Sequence, residues 1–92
     1  MKLSKGLVMT GEMVHEECFN LEKDQSIKFR FESNSSLMFN VHYHEAEEVT
    51  YPIEEIALKK LDDKFVAPVT QHYCLMWKNP VMDEVNLAYQ ID

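Results

Sequence analysis

A chain of 92 residues, 46% hydrophobic and 27% charged, has the length and composition of one folded domain with a modest core. Its formal net charge of -7 repels phosphate, which argues against nucleic acid and anionic membrane as partners. The two glycines, Gly6 and Gly11, are too few for a P-loop or a dinucleotide-binding turn. No apolar run approaches the roughly 18 residues of a membrane span, and the start MKLSKGLVMTGE lacks the hydrophobic segment of a signal peptide.

Along the chain the dominant hydrophobic period is two, the mark of half-buried strands. GLVMTGEMVHEECFNLE reads as extended and broken at Gly11, with Phe19 and Leu21 toward a core and Cys18 in the opposite phase. SIKFRFES alternates Ile27, Phe29 and Phe31 with polar residues. SLMFNVHYHE sets Leu37, Phe39, Val41 and Tyr43 on one face and Met38, Asn40, His42 and His44 on the other. EVTYPIE alternates Val49, Tyr51 and Ile53, and Pro52, lacking an amide proton, assigns it to a sheet edge.

IEEIALKKLDDK is read as an irregular hairpin connection, with a short helix as the alternative because Glu55 and Lys59 are four apart. KFVAPVT is a short strand closed by Pro68. QHYCLMWKN sets Tyr73, Leu75 and Trp77 against His72, Cys74, Met76 and Lys78, and EVNLAYQID alternates Val85, Leu87, Tyr89 and Ile91. EKDQ, SNSS and KNPVMDE have turn composition. The expectation is an all-β fold, an antiparallel β-sandwich of about seven or eight strands spanning residues 1–92 as one domain.

Cys18 and Cys74 are the only cysteines. Both lie out of phase with the aromatic residues beside them, and the residues alone leave open one bridge or two unrelated buried thiols. A bridge would stabilise the fold by roughly 4 kcal/mol on the chain-entropy account.

Cys18-Phe19, the alternating strands after it, and the late Tyr73-Cys74-Leu75 with Asn79 resemble the GOLD domain over about residues 16–92. That domain is the β-sandwich of early-secretory cargo receptors and of several lipid-transfer proteins. The resemblance implies a jelly-roll-like sandwich and a Cys18–Cys74 disulfide, hence a periplasmic or secreted location if the pair is oxidised. The chain is also similar to small bacterial proteins of unassigned function that carry a His-x-His strand and a YCLMW strand. It departs from the GOLD pattern at HEAEEVTYP, where the family has a glycine-bearing turn, and in having no following coiled coil or anchor. A free-standing relative is therefore expected.

His42 and His44 share a strand face about 6.5–7 Å apart, a workable ligand spacing. With His72, and with Cys74 and Met76 on its own strand, they form a candidate zinc or copper patch. A blue-copper site is disfavoured because no histidine follows Cys74. The plainer reading is that a strand with one apolar face needs polar residues on the other. Glu45, Glu47 and Glu48 are then a solvated hairpin end that raises the histidines' affinity for protons. A hydrolase built on Cys74 and His72 is the weakest reading, since no glycine-rich loop follows to supply an oxyanion site. Tyr43 and Tyr51 near the hairpin tip are candidates for a partner surface.

The sequence thus points to a non-enzymatic binding or structural module without a resident cofactor. An unidentified protein or small ligand is the expected partner, and association through an edge strand is expected either with a second copy or with that partner. The rival is a metal protein using His42, His44 and His72.

Overall fold

The computed structural model describes residues 2–92. It is all-β, with six strands: β1 (Leu3–Met9), β2 (Val14–Leu21), β3 (Ser26–Glu45), β4 (Glu48–Val66), β5 (Gln71–Lys78) and β6 (Val85–Ile91). They form one antiparallel sheet in the order β1-β6-β3-β5-β2, with β4 on the remaining edge of β3.

β3 organises the molecule. It runs for 20 residues, pairing with β6 through Phe29–Ser33 and with β5 through Met38–His42. On a straight strand Phe31 and Phe39 would lie about 26 Å apart. Their ring centroids are 4.9 Å apart, so the strand folds back across the core. The bend lies at Ser33–Ser36, four residues that stand opposite Lys59 alone on β4. The Ser33 hydroxyl donates to the Ser35 carbonyl at 2.7 Å and shares that one proton with the Lys59 carbonyl at 3.1 Å, where the ladder is broken. The sheet therefore curls, and its two ends face each other across Phe29, Phe31, Phe39, Trp77 and Tyr89.

The expected sandwich of about seven or eight strands is thus corrected to six strands in a curled sheet. SNSS is a bulge rather than a turn, because a bulge and a turn use the same small polar residues. EVTYPIE, IEEIALKKLDDK and the first three residues of KFVAPVT merge into the single strand β4, with neither a helix nor a separate connection between them. An edge strand with one solvated side tolerates the lysines and acids that read as a helical face. Pro52 lies on that edge strand, as its missing donor requires.

Gly11 sits in the turn between β1 and β2 rather than in a kinked strand. A Cβ there would come within 2.8 Å of the Met82 carbonyl oxygen, so the close backbone approach requires glycine. Asn79 locks the same corner. Its fully buried amide reaches the carbonyls of Met9, Thr10 and Asp83, and its oxygen accepts from the Val81 amide.

Phe39, on the second half of β3, touches Phe29 and Phe31 from the first half and Trp77 from β5. Truncation by Phe39→Ala is expected to cost about 3–5 kcal/mol, read as a lower urea midpoint in equilibrium unfolding.

Candidate functional site

The solvent-side phase of β2, β5 and β3 gathers most of the residues singled out by sequence. Register pairs Cys18 on β2 with Cys74 on β5, and Cys74 with His42 on β3. Cys18 and Cys74 are bonded as a disulfide with their Cα atoms 4.1 Å apart, the close approach of a directly opposed pair. One row along lie Asn20 and His72; one row the other way lie Glu16, Met76 and Asn40.

This face is not simply solvated. His42 is 4% exposed and Asn40 is 1% exposed. The reason lies in β4, which bulges twice: Glu54 and Glu55 stand opposite Asn40, and Tyr51 and Pro52 opposite His42. Each bulge bends β4 and re-aims its side chains. The Tyr51 ring comes to 5.8 Å from the His42 ring, and the His44 ring packs edge-on at 5.2 Å.

His42 Nδ1 donates to Asn40 Oδ1 at 2.7 Å, and its Nε2 lies 3.7 Å from Glu16 Oε1. A carbonyl oxygen cannot donate, so this contact fixes the proton on Nδ1. Burial pushes the His42 pKa below its ordinary 6.5; Glu16 opposes that shift and His44 adds to it. The sequence expectation of histidines made more basic by the hairpin acids is therefore reversed at His42. Asn40 Nδ2 is buried without a hydrogen-bond partner among the described residues.

His72 is exposed, with Nδ1 2.9 Å from Asn20 Oδ1. Possible ligand atoms of Cys18, His72 and Cys74 lie within 4.8 Å of one another, as do those of Glu16, His42 and Cys74. His44 belongs to neither group. Of the three imidazoles expected to act together, His72 falls in one set, His42 in the other and His44 in neither. Tyr43 and Tyr51 are also separated: Tyr43 packs against Tyr73 at the core, whereas exposed Tyr51 lies beside His42.

A second polar cluster lies on the inner phase. Tyr89 Oη donates to Glu17 Oε1 at 2.9 Å and lies 2.8 Å from His15 Nε2, while Lys5 Nζ is 3.1 Å from Glu17. Burial, reinforced by Glu17, raises the Tyr89 pKa, so the phenol stays protonated and holds β6 against β2. His15 and Glu17 share the phase of Phe19, and that phase is the signal by which the sequence places them inward. Nothing in the local sequence marks Glu16, Asn20 or Asn40 as neighbours of the cysteines; only the strand order does.

No protein-family model matches the chain, and no curated protein does. Solved structures do share its fold. A de novo designed double-stranded β-helix, solved by solution NMR, aligns at TM-score 0.55 with 8% identity, covering 98% of this chain and 99% of that one. A structure titled Family 16 Carbohydrate Binding Module-2 aligns at TM-score 0.53 with 12% identity, covering 91% of this chain and 71% of that one. At such identities the likeness is one of β-rich fold.

His42 makes stability depend on pH. Its folded pKa lies below the unfolded 6.5, so its contribution is full above that pH and is lost as pH falls through the folded value. Urea midpoints are expected to fall on acidification below about pH 6.5 in the native chain, with a shallower fall in His42→Gln.

Proposed function

We propose that the chain is a non-enzymatic binding module that engages a protein partner along the free edge of β4, and that a second copy of the chain is such a partner. One observation carries the reading. Among the described residues β4 pairs only with β3, and its segment Ala57–Phe65 is self-complementary in charge. Antiparallel pairing of two β4 edges about Leu61 sets Lys59 opposite Asp63 of the second copy and Lys60 opposite Asp62.

The neighbouring strand extends the pattern. Arg30 pairs in register with Asp62, and Glu32 with Lys60. In that row the outer face across the joined edges reads Glu32, Lys60, Asp62, Arg30, alternating in sign, while one row along Lys64, paired in register with Lys28, meets the apolar Leu58 of the second copy. Opposed like charges across strands destabilise, so this order favours one register. The geometry is isologous and closes as a two-fold dimer. Exposed Val49, Tyr51 and Ile56 on the same strand add apolar surface near one end of that edge.

The absence of catalysis belongs to the same proposal. Its support is that the Cys74 sulfur is bonded to Cys18, which removes the nucleophile a Cys74–His72 hydrolase needs. The likeness to a structure whose title names a carbohydrate-binding module supports the wider class of binding domains. The GOLD resemblance is supported only by its two cysteine neighbourhoods meeting across β2 and β5. The disulfide fits an oxidising compartment, and a periplasmic or secreted setting is proposed on that ground.

Light scattering after size exclusion tests the edge. The native chain is expected to dimerise at low salt and to dissociate as salt rises. Lys59→Glu with Lys60→Glu, and separately Asp62→Lys with Asp63→Lys, are each expected to weaken self-association at least about tenfold. Mixing the two variants is expected to restore a heterodimer, because every reversed pair is again opposite in sign. A native chain that stays monomeric at all concentrations and salts, or variants that dimerise as well as it does, would overturn the reading.

A further inference from the structure

The disulfide face carries an inference independent of the β4 edge. We propose that reduction of Cys18–Cys74 turns this face into a zinc site with Cys18, Cys74 and His72 as ligands. The chemistry balances with an external dithiol as reductant. The dithiol gives two electrons and two protons to the Cys18–Cys74 bond and becomes a disulfide itself. The two thiols then lose those two protons as their sulfurs bond one Zn²⁺. The net products are the zinc dithiolate, the oxidised dithiol and two protons.

Three features support the assignment. First, the donor set is right: two thiolates and one imidazole form a Cys2His group, which zinc takes with a further ligand in tetrahedral geometry. Second, the distances are right. Ligand atoms around a tetrahedral zinc lie roughly 3.4–3.8 Å apart, given ordinary Zn–S and Zn–N lengths. The three ligand atoms here already lie within 4.8 Å of one another on adjacent, hydrogen-bonded strands. Freed from their bond, the sulfurs reach that separation by side-chain rotation with the backbone in place.

Third, His72 has a neighbour that sets its tautomer. Its Nδ1 is 2.9 Å from Asn20 Oδ1, which as an acceptor fixes the proton on Nδ1 and leaves the Nε2 lone pair free. Outer partners of this kind are what hold zinc-bound histidines in one tautomer and one orientation. His72 is exposed and Cys18 half-buried, so the metal can enter from solvent and the fourth position takes water. The competing set of Glu16, His42 and Cys74 offers one thiolate in place of two. Since Cys74 is common to both, the two sets exclude each other, and the two-thiolate set is the better match to zinc.

The site is a redox device. Oxidised, the face holds a covalent staple between β2 and β5; reduced, zinc bridges the same two strands through the same two side chains.

Zinc uptake is measured by chelator competition on the full chain, oxidised and after anaerobic reduction with a phosphine. One zinc per reduced chain and none per oxidised chain is expected. His72→Ala is expected to weaken binding at least tenfold. Cobalt added to the reduced chain is expected to give thiolate-to-metal charge-transfer absorption that Cys74→Ser removes. If reduction alone lowers the strand signal in circular dichroism, zinc is expected to restore it. Reduced chain that takes up no zinc would overturn the proposal. So would strand signal that zinc fails to restore, or affinity that survives His72→Ala but is lost in His42→Ala.

Discussion

The fold depends on β3 being one strand that changes direction. Phe29 and Phe31 on its first half and Phe39 on its second half meet because Ser33–Ser36 interrupt the ladder with β4. Every other strand inherits its place from that bend. β6 and β1 follow the first half, and β5 and β2 follow the second. Trp77 and Tyr89, stacked at 4.6 Å, join the two ends where no hydrogen-bond ladder does. The core is therefore aromatic because it must span a curled sheet from within, and large rings fill that space with few residues.

Two further irregularities, both in β4, build the candidate site. A regular β4 would leave His42 and Asn40 on an ordinary solvated face. Two bulges bring Tyr51 over His42 and bury both polar side chains, which bond to each other. Beside them, the β2–β5 register sets Cys18 against Cys74, with His72 and Asn20 in the next row. Disulfide, imidazoles and their asparagine partners thus occupy one surface through strand order alone. Along the first half of β3, an open depression of about 910 Å³ is lined by Arg30, Glu32, Lys60 and Asp62.

Much of this was legible in the sequence. The period-two pattern located the core faces of β3, β5 and β6, because alternation survives wherever one side of a strand is buried. Pro52 announced an edge strand, and the phase of Cys18 and Cys74 put them on the side away from the aromatics. The pairing of those cysteines came from a family resemblance, since phase alone permits a bridge without requiring one. The strand count failed at Ser33–Ser36 and across residues 48–66. There, bulge residues have turn composition and an exposed edge has helical charge spacing. Burial of Asn40 and His42 was invisible because it depends on bulges in a different strand. So was the separation of His72 and His42 into two ligand sets that leave out His44, which follows from how β2 and β3 flank β5.

The Cys18–Cys74 bond staples β2 to β5 and fixes the geometry of the face around it. Intact mass after alkylation, with and without prior reduction under denaturing conditions, tests it directly. The expected result is no adduct before reduction and two after it, with the unreduced chain yielding one cross-linked pair of peptides containing Cys18 and Cys74. Two adducts without reduction would contradict it.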